Sequence, residues 1–286
     1  MSVLEFDVAG YLNRLGIVDP GRPSPDGLAA LHRAHVERVP YENLHIHLGV
    51  ATTINPYDSA ARILTGRGGY CYHLNGAFSL LLSALGYSVR WHLAGVQGRD
   101  EPKPVGANGN HLALTVHGLP ARGNPDGMWL VDVGLGDGPH DPLPLRTGEF
   151  VDGPFRYGLA PSGVEFLGWR YTHDPAGTFV GFDMRADVAV ISDFQPMHEW
   201  MSTAPESPYA RLVSVQRRDA TGVDTLRGRV LYRMPAGDDR RELTSQAEWY
   251  EALADVFGLT LSDVGPNERD ALWRRVSAAH EAWQAA

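Results

Sequence analysis

Three residues of this sequence, Cys71, His111 and Asp132, have the side chains that nucleophilic catalysis by a thiol requires. A cysteine nucleophile needs a base to activate it, and the base needs a carboxylate or amide to orient it. Cys71 is the single cysteine among 286 residues, which excludes an internal disulfide and a zinc site built from several thiolates. It is therefore either a reactive thiol or a small buried hydrophobic residue.

The residues after Cys71 favour a reactive thiol. Apolar side chains recur at three- and four-residue spacings from Leu74 to Leu85, and Gly86 follows as a C-cap, which predicts a helix beginning at or near Cys71. Free N–H groups and the positive dipole end at a helix start stabilise a thiolate, and Arg67 adds positive charge nearby. An N–H beside the cysteine is a candidate oxyanion donor.

The glycine-rich run before Cys71 has two explanations. Gly66, Gly68 and Gly69 permit a tight backbone path and the close approach of a substrate. Glycines before a helix are also ordinary turn residues. A phosphate-binding loop is disfavoured because the Lys-Ser/Thr ending of that motif is missing.

His111 and Asp132 stand at the ends of two predicted strands. His111 opens the apolar run 111–116, and Asp132 closes the run 129–131. Since active-site groups often emerge at strand ends, we expect both side chains at the Cys71 end of the structure. An aspartate after three apolar residues is costly to bury without a partner, and His111 is a suitable one. The alternative is that His111 and Asp132 form a hydrogen-bonded pair with no role in catalysis.

The predicted secondary structure that positions these side chains changes along the chain from helices to strands. Ser24-Pro25-Asp26 predicts a helix start, and that helix ends before Pro40. From Tyr87 onward, short β-rich runs alternate with Gly, Pro and Asn clusters, which is typical of an antiparallel sheet or barrel. These runs include residues 155–160, 164–173 and 179–184, and later 210–218, 224–234 and 240–244. Residues 248–259 and 268–283 predict amphipathic helices.

Composition and charge narrow the class of protein. The chain is 43% hydrophobic and 21% charged, close to ordinary soluble globular proteins. It has neither a signal-peptide pattern nor a run of ~18 uncharged apolar residues, so we expect a cytoplasmic protein with no membrane partner. The net charge of -9 and the scattered Lys and Arg residues disfavour nucleic acid as a partner.

Several other histidines suggest a metal site. His45 and His47 would face the same way on a strand, and His198 precedes Glu199. No third ligand follows at the spacing of a metal site. We therefore expect no metal cofactor.

Several short motifs are informative when they are taken together. They are Val39-Pro40-Tyr41-Glu42-Asn43-Leu44, Arg67-Gly68-Gly69-Tyr70-Cys71-Tyr72-His73-Leu74-Asn75, His111-Leu112, Asp132-Val133-Gly134-Leu135-Gly136, Ser192-Asp193-Phe194, Ser202-Thr203, Pro205 and Ser207-Pro208-Tyr209. In these residues, and in their order and spacing across roughly residues 30 to 262, the sequence resembles the arylamine N-acetyltransferase family.

The resemblance implies an activity and a fold. Cys71 would take an acetyl or similar short acyl group from the thioester of coenzyme A, with His111 as base and Asp132 holding the imidazole, and an arylamine, hydrazine or arylhydroxylamine would then accept it in a ping-pong scheme. The implied fold is α+β and multidomain, with a cysteine-protease-like triad arrangement. An N-terminal helical bundle (1–86) carries Cys71, a central antiparallel β-barrel (87–200) carries His111 and Asp132, and an α/β lid (201–286) follows.

The same resemblance assigns binding residues. A glycine-rich loop after Asp132 is expected to contact coenzyme A, although it is equally consistent with a plain turn; its residues are Gly134, Gly136 and Gly138. This loop contains no lysine, so the charge of the coenzyme must be neutralised elsewhere. Four residues are expected to line the substrate pocket: Tyr41, Tyr70, Leu135 and Phe194.

Two positions depart from the family pattern. The family usually has Glu at the position of His73 and Phe at that of Leu135. His73 lies on a different side of the helix start from Cys71, so we expect it to change a supporting hydrogen-bond network and not to replace His111. Leu135 removes an aromatic face that would stack on an arylamine ring. Both raise a second possibility, an amide synthase that takes an acyl chain from a carrier protein or another biosynthetic thioester. A binding module without catalysis is disfavoured because all three triad positions are filled.

Overall fold

The computed structural model of the protein describes residues 6–235 and 240–285. Its first part is helical, with one short strand, β1 (Tyr41–Glu42). The helices are α1 (Val8–Leu15), α2 (Pro25–Arg38), α3 (Leu44–Leu48), α4 (Pro56–Leu64) and α5 (Cys71–Ala84).

Two of these helices confirm the helix starts predicted from the sequence. Ser24 Oγ accepts the N–H of Gly27 at 3.1 Å, which caps α2, and Pro25 occupies its first turn. Helix α5 begins at Cys71 and buries nearly its whole surface, because it runs through the centre of the first hydrophobic core. Fully burying a side chain such as Phe78 contributes roughly 1.5–3 kcal/mol.

The central part is an eight-stranded antiparallel sheet that curls into a nearly closed barrel. The strand order is β5-β4-β3-β2-β9-β8-β7-β6. The strands are β2 (Ser88–Gly98), β3 (His111–His117), β4 (Trp129–Val131), β5 (Leu143–Pro144), β6 (Gly148–Asp152), β7 (Phe155–Pro161), β8 (Trp169–Thr172) and β9 (Phe179–Met184).

The pairing of β3 with β4 explains why two of the predicted site residues meet. The strands are antiparallel, with Leu114 opposite Val131. The start of β3 and the end of β4 therefore lie at the same edge of the sheet. His111 is the first residue of β3 and Asp132 directly follows β4.

A second antiparallel sheet of five strands follows, in the order β1-β10-β11-β12-β13. It draws β1 from the helical part, because Tyr41 pairs with Gln216 of β10. The remaining elements are α6 (Gln195–Thr203), α7 (Pro208–Arg211), β10 (Ser214–Asp219), β11 (Gly222–Arg227), β12 (Val230–Met234), β13 (Arg241–Glu242), α8 (Gln246–Asp255) and α9 (Pro266–Gln284). Helices α8 and α9 share a hydrophobic core with this sheet. In the described ranges, no helix combines the length and apolar character that crossing a membrane requires.

Two of the predicted β-rich runs are strands over only part of their length. The run 164–173 is a strand only over Trp169–Thr172, because the N–H of Gly168 donates to the carbonyl of Glu165 at 3.1 Å and closes a turn before it. Within 240–244, of which all residues are described, only Arg241–Glu242 is a strand. His45 and His47, which would share a face on a strand, lie on helix α3, where residues two apart do not face each other.

Candidate active site

The structure brings Cys71, His111 and Asp132 together in one buried cluster. His111 Nε2 lies 2.6 Å from Asp132 Oδ2, and the side chain of Cys71 is near enough to the imidazole to raise its pKa. The thiol lies 3.8 Å from the carbonyl oxygen of Asn110. All three residues are at most 3% exposed. The cluster therefore joins thiol, imidazole and carboxylate in the order that nucleophilic catalysis requires.

Asp132 is held in place by an amide that the sequence analysis had not singled out. Asn75 Nδ2 donates to Asp132 Oδ1 at 2.8 Å, and the N–H of Gly134 donates to the same oxygen at 3.0 Å. Asn75 Oδ1 in turn accepts the N–H of Val133 at 2.9 Å. Asn75 lies one helical turn after Cys71, so both side chains project from one face of α5. This four-residue spacing is the sequence feature from which Asn75 could have been predicted as a site residue.

The aromatic rings of Phe182 and His32 lie next to His111 and Asp132. The ring of Phe182 packs against that of His111, with centroids 5.2 Å apart. Nε2 of His32 accepts the backbone N–H of Asp132 at 3.3 Å, and its Nδ1 donates to the carbonyl of His140. Burial lowers the pKa of His32, which keeps it neutral and able to accept that bond. Neither residue stands out in sequence, because their roles depend on tertiary contacts.

His111 carries the positive charge of the site at neutral pH. Burial alone lowers its pKa, but the charge of Asp132, its hydrogen bond and the neighbouring Cys71 raise the pKa to about 10. The arrangement therefore places a positively charged imidazolium next to the sulfur of Cys71.

The N-terminus of α5 is free of a side-chain cap. The capping residue Tyr70 has extended backbone and makes no cap bond with its side chain. Its carbonyl accepts the N–H groups of His73 and Leu74, so the N–H groups of Cys71 and Tyr72 are the ones without a side-chain cap at the positive end of the helix dipole. Arg67 is directed elsewhere. Its guanidinium pairs with Glu42 at 3.5 Å and with Asp263 at 3.0 Å. The cation next to Cys71 is therefore His111 and not Arg67.

Packing by itself requires glycine at the three positions that were predicted to bind a cofactor. A Cβ on Gly134 would lie 2.7 Å from Cys71 Cα. Gly136 has φ +74°, and a Cβ there would clash with Gln216 Oε1. At Gly138 a Cβ would lie 2.8 Å from Leu135 Cβ. The loop thus needs glycine to pass between the nucleophile and β10.

Asp137 fastens this loop to the barrel. Its Oδ2 accepts the N–H of Thr178 at 2.6 Å and lies 3.2 Å from His173 Nε2. Burial raises the pKa of Asp137, but His173 and Thr178 outweigh it and lower the pKa. A carboxylate buried among such partners fixes the loop between Cys71 and the turn after β8.

The four predicted pocket residues lie at different depths. Tyr41 is partly exposed and donates its hydroxyl to Tyr209 at 2.9 Å, and Leu135 is 8% exposed in the glycine-rich loop. Tyr70 and Phe194 are fully buried in the first core. The ring of Phe194 packs on Tyr72 and Trp91. Tyr41 and Leu135 are thus nearer the surface than the other two.

His73 belongs to a buried cluster beneath the nucleophile. Its Nε2 lies 3.1 Å from Thr52 Oγ1, and its ring meets that of Tyr70 edge-on at 4.6 Å. The Tyr70 hydroxyl donates to His198 Nδ1 at 2.6 Å, and His198 Nε2 donates to the carbonyl of Thr52. Burial holds the pKa of His73 well below its usual value, with His45 adding to the effect. A neutral His73 supports this network as predicted.

The histidines considered for a metal have protein partners. His47 Nε2 donates to the carbonyl of Tyr209 at 3.0 Å. In the described part of the chain, one group could bring three ligand atoms within 4.8 Å, formed by His140, Asp141 and Asp152. Asp152 Oδ2 already accepts the N–H groups of His140 and Asp141.

Comparison with known proteins places this geometry in a family. A family model described as N-acetyltransferase matches residues 26–264. The arylamine N-acetyltransferase of Mycolicibacterium smegmatis is 30% identical over 293 aligned positions, covering 91% of this chain and 94% of that protein. Proansamycin X synthase of Amycolatopsis mediterranei is 35% identical over 154 positions, covering 51% of this chain and 54% of that protein.

Solved structures agree with the sequence relatives. The arylamine N-acetyltransferase of Mycobacterium marinum, in complex with CoA, superposes with a TM-score of 0.81 at 28% identity. The match covers 96% of this chain and 99% of that one. The α+β fold predicted from the sequence, with helical bundle, antiparallel barrel and α/β part, is confirmed.

Proposed function

This chain belongs to the arylamine N-acetyltransferase family, and from that premise we propose that it moves an acetyl or similar short acyl group from coenzyme A to an amine nitrogen through a thioester on Cys71. The acceptor is an arylamine, hydrazine or arylhydroxylamine. One observation carries the proposal: the imidazole of His111 lies 2.6 Å from Asp132 Oδ2, and the neighbouring Cys71 raises its pKa.

In the first half-reaction, Cys71 attacks the donor carbonyl as a thiolate. A new C–S bond forms on Cys71, the C–S bond to the coenzyme breaks, and His111 gives its proton to the departing sulfur. Asp132 keeps the imidazole oriented throughout. The N–H groups at the start of α5 are placed to stabilise the oxyanion, because the side chain of Tyr70 does not cap them.

In the second half-reaction, the amine attacks the acyl group on Cys71. His111, now neutral, takes the proton of the attacking nitrogen as the C–N bond forms and the C–S bond breaks. The cysteine leaves as a thiolate beside the restored imidazolium. Proton and sulfur are thus returned to their starting states, which gives a ping-pong scheme.

We also propose the division into three parts, 1–86, 87–200 and 201–286. The strands of the barrel begin at Ser88 and end at Met184, and the strands after residue 201 form the second sheet. Pairing of β1 with β10 ties the first part to the third. Cys71 and the His111–Asp132 pair then come from different parts, so catalysis depends on how the first two pack.

Intact-protein mass spectrometry after incubation with acetyl-coenzyme A tests the thioester. We expect one acetyl group on Cys71, discharged by added arylamine or hydrazine. Cys71→Ser and His111→Ala should lose acylation by several orders of magnitude. His117→Ala is the matched control, since His117 is the last residue of the same strand β3. Normal acylation of His111→Ala would overturn the assignment of the base.

A second candidate is an amide synthase that takes its acyl chain from a carrier protein or other biosynthetic thioester. The likeness to proansamycin X synthase over half the chain supports it, as does Leu135 in place of the family's usual Phe. The same assay separates the two functions. An enzyme that ignores acetyl-coenzyme A, yet is acylated on Cys71 by a carrier-bound acyl chain, favours the synthase.

A further inference from the structure

The backbone carbonyl of Asn110 lies beside the nucleophile. Its oxygen is 3.8 Å from Cys71 Sγ. Asn110 directly precedes β3, whose first residue is His111, so it lies just outside the hydrogen-bonded ladder of the barrel. Among residues 6–235 and 240–285, neither a backbone N–H nor a side chain other than that of Cys71 donates to this oxygen. Within these residues, the thiol is therefore the one donor that the carbonyl has.

The proposed reaction removes that donor. The sulfur carries no proton as a thiolate, and it carries none when it is acylated. In both states, Cys71 has no hydrogen to donate to the Asn110 oxygen. An attacking amine brings N–H groups that can take the place of the lost donor. Asn110 is partly exposed, so a substrate can approach this part of the site.

Hydrogen bonds on two sides hold the backbone at Asn110. The side-chain Oδ1 of Asn110 accepts the N–H of Val96 on β2 at 2.7 Å, and its Nδ2 donates to the carbonyl of Val96 at 3.1 Å. Asn108 Oδ1 accepts the N–H of Asn110 at 3.0 Å. From α5, the hydroxyl of Tyr72 donates to the carbonyl of Gly109 at 2.5 Å. A carbonyl dipole fixed in this way can stabilise a transition state without first reorganising.

A primary amine that attacks the acyl group has two N–H bonds. His111 takes one of these protons in the second half-reaction proposed above. The other hydrogen stays on the nitrogen and becomes the N–H of the product amide. The nitrogen gains positive charge as the C–N bond forms, so its remaining N–H is a stronger donor in the transition state than in the free amine. His111 and the Asn110 carbonyl are neighbours in the chain, and both lie next to the sulfur.

We infer that the carbonyl of Asn110 accepts the second N–H of the attacking amine, and that the acyl-enzyme thereby selects primary amines over nucleophiles with fewer N–H groups. This inference rests on the proposed function. The carbonyl contributes a hydrogen bond and exchanges no atom: the C–N bond forms, the C–S bond breaks, one proton passes to His111 and the other stays on the nitrogen. The side chain of Asn110 is a positioning group, because it acts by holding the carbonyl.

Discharge of the isolated acetyl-enzyme by nucleophiles that differ in their N–H groups tests the inference in the wild type. Aniline has two N–H bonds, indoline has one, and the thiol of coenzyme A has none. The indoline nitrogen is at least as nucleophilic as that of aniline. Each discharge rate, measured by rapid quench, is divided by the rate of the same amine with a simple thioester in solution. Without the second, charge-assisted bond, we expect the indoline ratio to be about 10-fold below that of aniline. Equal ratios overturn the inference.

Asn110→Ala separates the hydrogen bond from the size of the acceptor. The variant loses both bonds to Val96, so the carbonyl is no longer held in place. We expect aniline discharge to slow about 10-fold, while discharge by indoline and by coenzyme A changes by less than about 2-fold. If discharge by all three slows equally, Asn110 only supports the fold and the inference is overturned. If the variant does not fold, the wild-type ratios decide.

Asn124→Ala is the matched control for this variant. Asn124 is also an asparagine that binds backbone with its side chain, because its Nδ2 donates to the carbonyl of Met128 at 2.8 Å. It is buried in the turn between β3 and β4, at the end of this hairpin away from His111. We expect all three discharge rates of this variant to match those of the wild type.

Failure of this inference and failure of the proposed function give different results. A wild type that acetyl-coenzyme A does not acetylate refutes the proposed function. Acetylation of Cys71 by p-nitrophenyl acetate then still supplies the acetyl-enzyme on which the aniline and indoline rates are compared. A wild type that acetyl-coenzyme A acetylates, but whose corrected rates with the two amines are equal, keeps the proposed function and overturns the role of the Asn110 carbonyl.

Discussion

Asn75 Nδ2 lies 2.8 Å from Asp132 Oδ1, while the other oxygen of that carboxylate lies 2.6 Å from His111. The side chain of Asn75 also donates to the carbonyl of Leu112 at 2.7 Å. One amide on the helix of the nucleophile thus sets the position of the carboxylate on the barrel. Its bonds cross the boundary between the helical part and the barrel.

Replacing Asn75 by Ala should slow catalysis through the loss of its hydrogen bond to Asp132. The variant leaves Asp132 Oδ1 with only the N–H of Gly134, so the imidazole is less well oriented, and we expect acylation to slow about 10- to 100-fold. Loss of the buried bonds should cost about 1–3 kcal/mol of unfolding free energy. Stopped-flow acylation and urea denaturation measure the two effects.

Ser79→Ala is the control for the Asn75 variant, since Ser79 is buried one turn later on α5 and bonds only the carbonyl of Gly76. We expect near-normal acylation from it. If both variants slow acylation equally, the effect comes from helix packing and Asn75 has no positioning role.

The unfolding free energy should fall as pH rises through the alkaline range. The pKa of His111 is about 10 in the folded protein, against an ordinary value of 6.5, so the folded state holds this proton more tightly than the unfolded state. The stabilisation is complete below pH 6.5 and is lost as pH rises toward 10. Urea denaturation of the wild type and His111→Gln between pH 6.5 and 9.5 measures it. Identical pH slopes in the two proteins would contradict a raised pKa at His111.

Acid should destabilise the protein through the buried histidine cluster. Burial lowers the pKa of His45 to about 3 and that of His73 well below its usual value. The unfolded chain binds these protons near pH 6.5 and the folded chain does not, so stability is lost as pH falls from about 6.5 toward 3. His73→Gln removes one of the groups and should give a shallower acid slope in thermal unfolding from pH 7 to 4. An unchanged slope would mean that His73 is protonated in the folded state.

Adding one methyl group at Gly134 should disable the enzyme. In Gly134→Ala the new Cβ lies 2.7 Å from Cys71 Cα and 2.8 Å from Asn75 Nδ2, so the loop or the start of α5 must move. Overpacking of this kind costs typically 1–3 kcal/mol. We expect loss of acylation and a lower unfolding temperature. Gly163→Ala is the control, because its Cβ would meet nothing within 4 Å, and it should behave as wild type.

The sequence by itself determined the helix start at Cys71 and the strands that bear His111 and Asp132. These depend on local patterns, namely apolar spacing, turn residues and the motif around the cysteine. The turn between residues 164 and 168 was not predicted, because the run that contains it is typical of a strand. The N–H of Gly168 closes this turn on the carbonyl of Glu165, and Ala107, far away in sequence, donates its N–H to the Glu165 side chain.

Tertiary structure alone decided which groups surround the triad and what charge they carry. Asn75 meets Asp132 across 57 positions and His32 meets its backbone across 100, and such contacts leave no periodic trace in sequence. Arg67 looked like a partner of the thiol, yet the fold directs its charge to Glu42 and Asp263. Electrostatic energy depends on distance and burial, and both are set only when the chain has folded.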